Sequence, residues 1–299
     1  MKAITIKSRM LVGLTTAALC LSMTSCTNVA QNGVSLPTDG HADTMTTTVT
    51  TAATTFTTTA TPTDAPTDPT SAPTSAPLAP TTEYRSPNVT YFVAESAAVD
   101  ASFFDDAVFV GDSVSLKLTN YHLSTAALGN AAFLTSGSLG VANAMWDVNR
   151  EDAVHPSYQG ETVTVVDGIA KTGRNKVYFM LGINDLGLYG VEETFNNFKT
   201  ITDDILRTSP GVTMYIQSVT PMLEDFTDLT NARINEYNAL VSEYCREKGW
   251  YFVDVASVLR TADGTLPYDY CSDPDNMGIH FNDVACEVWV NYLYTHTGR

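Results

Sequence analysis

Ser113 closes the triplet Gly111-Asp112-Ser113, directly behind the apolar run Ala107-Val108-Phe109-Val110. A serine placed where a buried strand breaks into a helix has its hydroxyl held at a sheet edge. Its N–H then lies in the helix N-terminus, where an oxyanion is favoured. A second block, Gly182-Ile183-Asn184-Asp185, follows another apolar run, and Gly278-Ile279-His280 lies near the C-terminus. Acyl transfer from an ester needs a nucleophile, a base to take its proton and donors for the tetrahedral oxyanion. Ser113 supplies the first and His280 the second. The N–H groups of Ser113 and Gly137, with the side-chain amide of Asn184, supply the third; Gly140, behind the same strand, is the alternative to Gly137. The three blocks together point to a serine esterase. Asp112 reads as a turn residue or helix cap and Asp185 as structural. His122, His155 and His296 lack comparable flanks and read as solvated or internally satisfied.

These residues need a frame that brings them together, and the chain alternates strand and helix throughout this region. Strands are expected at Ala107–Val110, Ala131–Leu134, Lys176–Leu181, Val212–Ile216 and Tyr251–Val255. A helix through Leu116 and Leu118 follows the first. Val191, Phe195, Phe198, Ile201 and Ile205 recur every three or four residues, the spacing of an amphipathic helix, which Pro210-Gly211 stops. Ile234, Tyr237, Val241 and Tyr244 mark another helix, ending at Lys248-Gly249, and a last one runs from about Asp283. Near-continuous apolar strands alternating with helices imply a parallel sheet covered on both faces. Ligands of such sheets bind at the carboxyl ends of the strands, where Ser113 and Asn184 both fall.

Outside this region the composition changes. Lys2, Lys7 and Arg9 precede a mostly apolar run from Met10 to Leu21, too short for a membrane span and laid out as a secretory signal. Met23-Thr24-Ser25-Cys26 resembles a bacterial lipobox with methionine in place of leucine, so residues 1–26 read as a signal peptide with lipidation at Cys26. Residues 27–82 are Thr, Pro, Ala and Ser with almost no large apolar side chain. Such a segment cannot bury enough surface to offset its ordering entropy, so an extended, disordered stalk is expected. This leaves 83–299 as one domain, placed outside the cell on the outer face of a bacterial membrane.

That domain carries 13 basic and 29 acidic residues, a charge of −16. A balance so acidic argues against nucleic-acid or anionic-membrane binding, so contact with a membrane is expected only through a lipid anchor. Cys245, Cys271 and Cys286 allow one disulfide with one thiol left over, and read first as buried structural cysteines. No Cys-x-x-Cys or His-Glu-x-x-His spacing supports a metal site, and no cofactor is expected.

Gly111-Asp112-Ser113, Gly137, Gly182-x-Asn184-Asp185 and His280 follow in the order of the blocks of the SGNH (GDSL) hydrolase family, which the domain resembles over nearly its whole length. The resemblance implies a three-layer α/β/α sandwich with a parallel central sheet, flavodoxin-like in architecture. It implies Ser113 as nucleophile, His280 as general base, Gly137 and Asn184 as oxyanion donors, and no metal. One departure stands out. The family places an aspartate three residues before the catalytic histidine, and here that position is Met277. A local shift of the loop would let Asp275 orient the imidazole, with Asp273 slightly further upstream and Asp283 just after; a backbone carbonyl is the other candidate. A Ser-His dyad would still be chemically adequate.

The expected activity is hydrolysis of carboxylic esters through an acyl-serine, with a short acyl group, acetyl foremost, on a glycan. Trp146, Tyr189, Tyr268 and Tyr270 read first as core or surface filling, although Tyr189, beside the Asn184 block, could stack on a sugar. Three other outcomes fit the same residues: a glycan-binding module without catalysis, a lipase, and an acyltransferase that passes the acyl group to a sugar hydroxyl.

Overall fold

The computed structural model describes residues 92–298. The signal segment with Cys26 and the 27–82 stalk lie outside the described residues. Five parallel strands form the central sheet in the order β2-β1-β5-β6-β7. They are β1 (Ala107–Gly111), β2 (Ala132–Thr135), β5 (Lys176–Met180), β6 (Thr213–Gln217) and β7 (Tyr251–Val253). A small antiparallel pair, β3 (Ser157–Tyr158) and β4 (Glu161–Thr162), stands apart from the sheet.

Alternate strand residues feed two separate cores. Val108, Val110, Val177, Phe179, Met214, Ile216 and Phe252 belong to one, with α2 (Val165–Thr172), α3 (Ile183–Thr208) and α4 (Asn231–Lys248) over it. Ala107, Phe109, Tyr178, Met180, Tyr215 and Val253 belong to the other, beneath α1 (Ser113–Thr125) and α5 (Asp283–Thr295). Two-residue periodicity in strands buried on both faces thus gives a three-layer α/β/α sandwich.

On the α1/α5 face the registers align one aromatic ring from every strand into a row. Phe133, Phe109, Tyr178, Tyr215 and Tyr251 stack with successive centroid separations of 5.4, 4.6, 4.6 and 4.7 Å. Their rings run nearly parallel, tilted by 13 to 23°. Each pair adds attraction beyond its area burial.

The helix that the 191–205 spacing predicts begins earlier, at Ile183, so Asn184 and Asp185 lie in its first turn. Gly190, at φ +76°, interrupts the helical backbone between that turn and the periodic segment, which is why the pattern is visible only from Val191. α2 and the β3–β4 pair are elements the sequence reading did not anticipate. The first is only eight residues long and the second two residues per strand, too short to show a period. The expected fifth strand stops at Val253, and Val255–Val258 forms a 3-10 turn instead.

Candidate active site

Ser113 opens α1 where β1 ends. Asp112 is the N-cap, its carboxylate accepting the Val114 N–H at 2.9 Å, which fixes the turn that presents Ser113. That carboxylate is 1% exposed. Burial raises it to about 7, against the lowering effect of the Val114 and Ser115 N–H bonds and the field of His280; nearby Asp185 adds to the rise.

The Oγ of Ser113 lies 3.0 Å from Nε2 of His280, across 167 residues of chain. On the far side of the ring, Nδ1 of His280 meets Oδ2 of Asp273 at 2.7 Å. The other oxygen, Oδ1, accepts the His280 backbone N–H at 3.0 Å and faces the Cys271 thiol at 3.3 Å. Partial burial pushes the Asp273 carboxyl up, but the bonds from the His280 ring and backbone and from Cys271 outweigh it and hold it below the ordinary carboxylate range.

The carboxylate facing the imidazole is therefore Asp273, seven residues before His280, and the expectation for Asp275 is corrected. Asp275 is exposed. The reason lies in the loop. Cys271 and Phe281 pair as an antiparallel bridge, the Ser272 N–H donates to the His280 carbonyl at 2.8 Å, and the N–H groups of Asn276 and Gly278 both donate to the Asp273 carbonyl. These bonds fold 273–278 into a closed turn that returns Asp273 to the histidine. Met277, at the family's usual acid position, is partly buried against the sheet core.

Asn184 and the Gly137 loop are tied to each other. The Asn184 amide donates to the Leu139 carbonyl at 3.0 Å, leaving its second N–H for another acceptor. The loop is in turn anchored to β1, since the Ser136 N–H donates to the Gly111 carbonyl at 3.1 Å. Of the two candidate glycines, Gly140 has its N–H committed to Asn143 Oδ1 at 2.8 Å. Gly137 is exposed, and a Cβ there would meet nothing within 4 Å. Asp185 is structural: its two oxygens accept the Val141 and Ala142 N–H groups at 2.8 and 2.9 Å. Gly182, at φ +142°, has a Tyr237 ring where a Cβ would go, so only glycine lets α3 start there.

A cleft of about 380 Å³ adjoins Asn184. Trp146, Val154, Leu188 and Tyr189 give it apolar surface, and Asn143 and Asp152 give it polar groups. The Arg150 guanidinium sits 3.6 Å from the centre of the Trp146 ring and pairs with Asp152, fixing that wall. Leu188 and Tyr189 are 76% and 40% exposed at the mouth.

Cys245, Cys271 and Cys286 are all buried and free, so the disulfide that three cysteines allow is not formed. Among the described residues no cluster of three or more His, Cys, Asp or Glu side chains could hold a metal ion. His122 accepts the Leu128 N–H at 3.1 Å, and the His296 ring stacks on Tyr292 at 3.6 Å. The His155 ring is partly buried, and burial lowers its pKa against the raising effect of the Asp147 and Trp146 backbone. Among the described residues no helix is long and apolar enough to cross a membrane.

A serine, histidine and aspartate in line at the carboxyl edge of a parallel sheet define a hydrolase of the α/β/α sandwich class. The sequence profile described as the GDSL-like Lipase/Acylhydrolase family matches residues 109–287, and the chain belongs to that family of acylhydrolases and esterases. No curated protein sequence matches the chain. Among solved structures it is similar to a GDSL-like lipase from Bacteroides thetaiotaomicron, at 15% identity and TM-score 0.48, over 62% of this chain and 84% of that one. It is also similar to a member of the lipolytic G-D-S-L family from Veillonella parvula, at 18% identity and TM-score 0.43, over 62% of this chain and 94% of the other. A carbohydrate esterase family 3 protein from Talaromyces cellulolyticus aligns at 13% identity and TM-score 0.43, over 62% and 93% of the two chains.

Proposed function

We propose that the protein hydrolyses carboxylic esters through an acyl-Ser113 intermediate. The observation that carries this reading is the unbroken line from Ser113 Oγ through the His280 ring to Asp273, at 3.0 and 2.7 Å. Asp273 accepts a hydrogen bond from Nδ1–H and so holds Nε2 as the acceptor facing the serine. His280 takes the hydroxyl proton as Oγ bonds to the ester carbonyl carbon. The resulting oxyanion is held by the N–H groups of Ser113 and Gly137 and by the Asn184 amide. The protonated His280 then passes its proton to the departing alcohol oxygen as the carbon–oxygen bond breaks. Water repeats the sequence on the acyl-serine and releases the acid.

The substrate is a short acyl ester, acetyl foremost, on a glycan outside the cell. Three features support this. The cleft beside Asn184 pairs aromatic and aliphatic faces with Asn143 and Asp152, a mixture suited to a sugar ring with its hydroxyls. The domain charge of −16 favours a neutral or cationic substrate over an anionic surface. The signal segment, Cys26 and the Pro/Thr-rich stretch would tether the enzyme at the bacterial surface near polymeric material. A binding module without catalysis would follow from loss of the acid at Met277; the Asp273 carboxylate beside the His280 ring supports the catalytic reading over it. Transfer of the acyl group to a sugar hydroxyl uses the same intermediate and is distinguished by products.

The test is hydrolysis of p-nitrophenyl acetate, butyrate and octanoate, and of an acetylated oligosaccharide, by the chain and its variants. Ser113→Ala and His280→Ala should each abolish turnover, by about 10³-fold or more. Acetate should be the best of the three simple esters. Trp146→Ala and Tyr189→Ala should raise KM for the oligosaccharide about tenfold and leave p-nitrophenyl acetate nearly unchanged. Octanoate as the best substrate would instead indicate a lipase.

A further inference from the structure

We infer that Cys271 is a positioning residue of the reaction: its thiol donates to Oδ1 of Asp273 and holds the carboxylate at the angle that aligns the His280 ring. The inference rests on the Ser113–His280–Asp273 reading and adds a fourth member to it.

The geometry is specific. Sγ lies 3.3 Å from Oδ1, the same oxygen that accepts the His280 backbone N–H at 3.0 Å, while Oδ2 alone faces Nδ1 at 2.7 Å. Two donors on Oδ1 fix the rotation of the carboxylate about its χ2 axis, the freedom that would otherwise let Oδ2 swing off the ring. Such terminal torsions are broad and weakly held by their own rotamer preferences, so outside donors decide them. Cys271 is itself well placed to do this. Its backbone is bridged to Phe281, one residue beyond the histidine, and its side chain is 8% exposed and in no disulfide. Burial pushes its thiol above the ordinary range, against the lowering effect of the Asp273 backbone, so at neutral pH the sulfur carries its proton. A protonated thiol beside an ionised carboxylate can only donate.

The arrangement also explains how a distant aspartate serves. Asp273 reaches the histidine from seven residues away through a buckled turn, and its orientation is not set by a short helical or turn spacing. The thiol two residues before it supplies that constraint from the bridged, buried end of the loop.

The experiment uses the full chain with p-nitrophenyl acetate and compares Cys271→Ala and Cys271→Ser with wild type. Cys271→Ala should lower kcat about three- to tenfold, because a weak donor to a charged acceptor is lost, with KM unchanged. With one donor fewer, the carboxylate holds the imidazolium more tightly, so the acid limb of kcat/KM should move to higher pH. Cys271→Ser restores a donor and should recover most of both changes. The Raman S–H stretch gives a readout that needs no alanine variant: wild type should show a hydrogen-bonded S–H band that Cys271→Ser lacks. Wild-type kinetics in Cys271→Ala would overturn the inference. So would a serine variant as slow as the alanine one with an unmoved acid limb, which marks a purely structural cysteine. Absence of the bonded band does the same. If Asp273→Asn has no effect either, the triad reading fails with it; if Asp273→Asn is crippled and Cys271→Ala is not, only the role of the thiol falls.

Discussion

Two carboxylates lie close to the Ser113–His280 pair, one beside Ser113 in sequence and one behind the His280 ring, and their surroundings give them opposite properties. Asp273 accepts three donors, and these hold its carboxyl below the ordinary carboxylate range. Asp112 is more deeply buried, with backbone N–H groups and no cation in contact, and its carboxyl rises to about 7. The first difference is tested by paired substitution. Asp273→Asn should lower kcat for p-nitrophenyl acetate by about 10²- to 10⁴-fold, because the imidazole loses the partner that fixes its tautomer. Asp275→Asn, at an exposed turn position, should leave kcat within twofold. The second difference is a stability effect. Folded Asp112 keeps a proton that the unfolded chain has released above its ordinary 3.8. The native state is therefore favoured at this site below pH 4 and loses that advantage as pH rises through 7, by about 1.4 kcal/mol per pH unit. Asp185 and Asp254 are raised by burial as well and add slope of the same sign. Asp112→Asn keeps a good N-cap and removes only its own share. Urea unfolding should show the variant gaining roughly 2–4 kcal/mol on wild type between pH 5 and pH 8. A difference independent of pH would show that Asp112 does not titrate in this window.

At the scale of elements, the stacked aromatic row crosses every strand of the sheet and places the Tyr178 ring at its centre. The Tyr178 hydroxyl is fully buried and has no hydrogen-bond partner. An orphaned hydroxyl retains its desolvation penalty without a compensating bond. Tyr178→Phe keeps the stack and removes the penalty, so it should stabilise the domain by about 1 kcal/mol, seen as a Tm higher by roughly 2–4 °C. A lower Tm would mean that the hydroxyl is satisfied in solution. The elements that position the site follow the same economy of short connections. β1 delivers Ser113 through a capped turn, and Gly182 lets α3 begin at once behind β5. The Asn184 amide then binds the loop after β2. Three adjacent strand ends, β2, β1 and β5, thus bring three sequence blocks to one edge of the sheet.

Across the whole molecule, the sheet and its covering helices were legible because the buried strands are near-continuous apolar runs and the helices over 191–208 and 231–248 show their period. Ser113, Asn184 and His280 were legible because their flanking blocks carry backbone requirements as well as chemistry. The acid was not. Its position depends on how 273–278 folds back, and that turn is set by backbone bonds between Cys271, Ser272, His280 and Phe281 that no local pattern announces. Asp275 was a reasonable expectation from proximity in sequence, and the turn inverts that proximity. The start of α3 was hidden for a comparable reason, since Gly190 breaks the helical period just where the site's own helical turn ends.

The most direct measurement is to treat the full chain with a fluorophosphonate, which phosphonylates a serine only when an adjacent base activates it, and to map the adduct by peptide mass spectrometry. The expected result is one labelled residue, Ser113, with labelling slowed at least a hundredfold in His280→Ala and Asp273→Asn. No adduct on Ser113, or labelling at an unchanged rate in both variants, would contradict the assignment of Ser113, His280 and Asp273 as one catalytic unit.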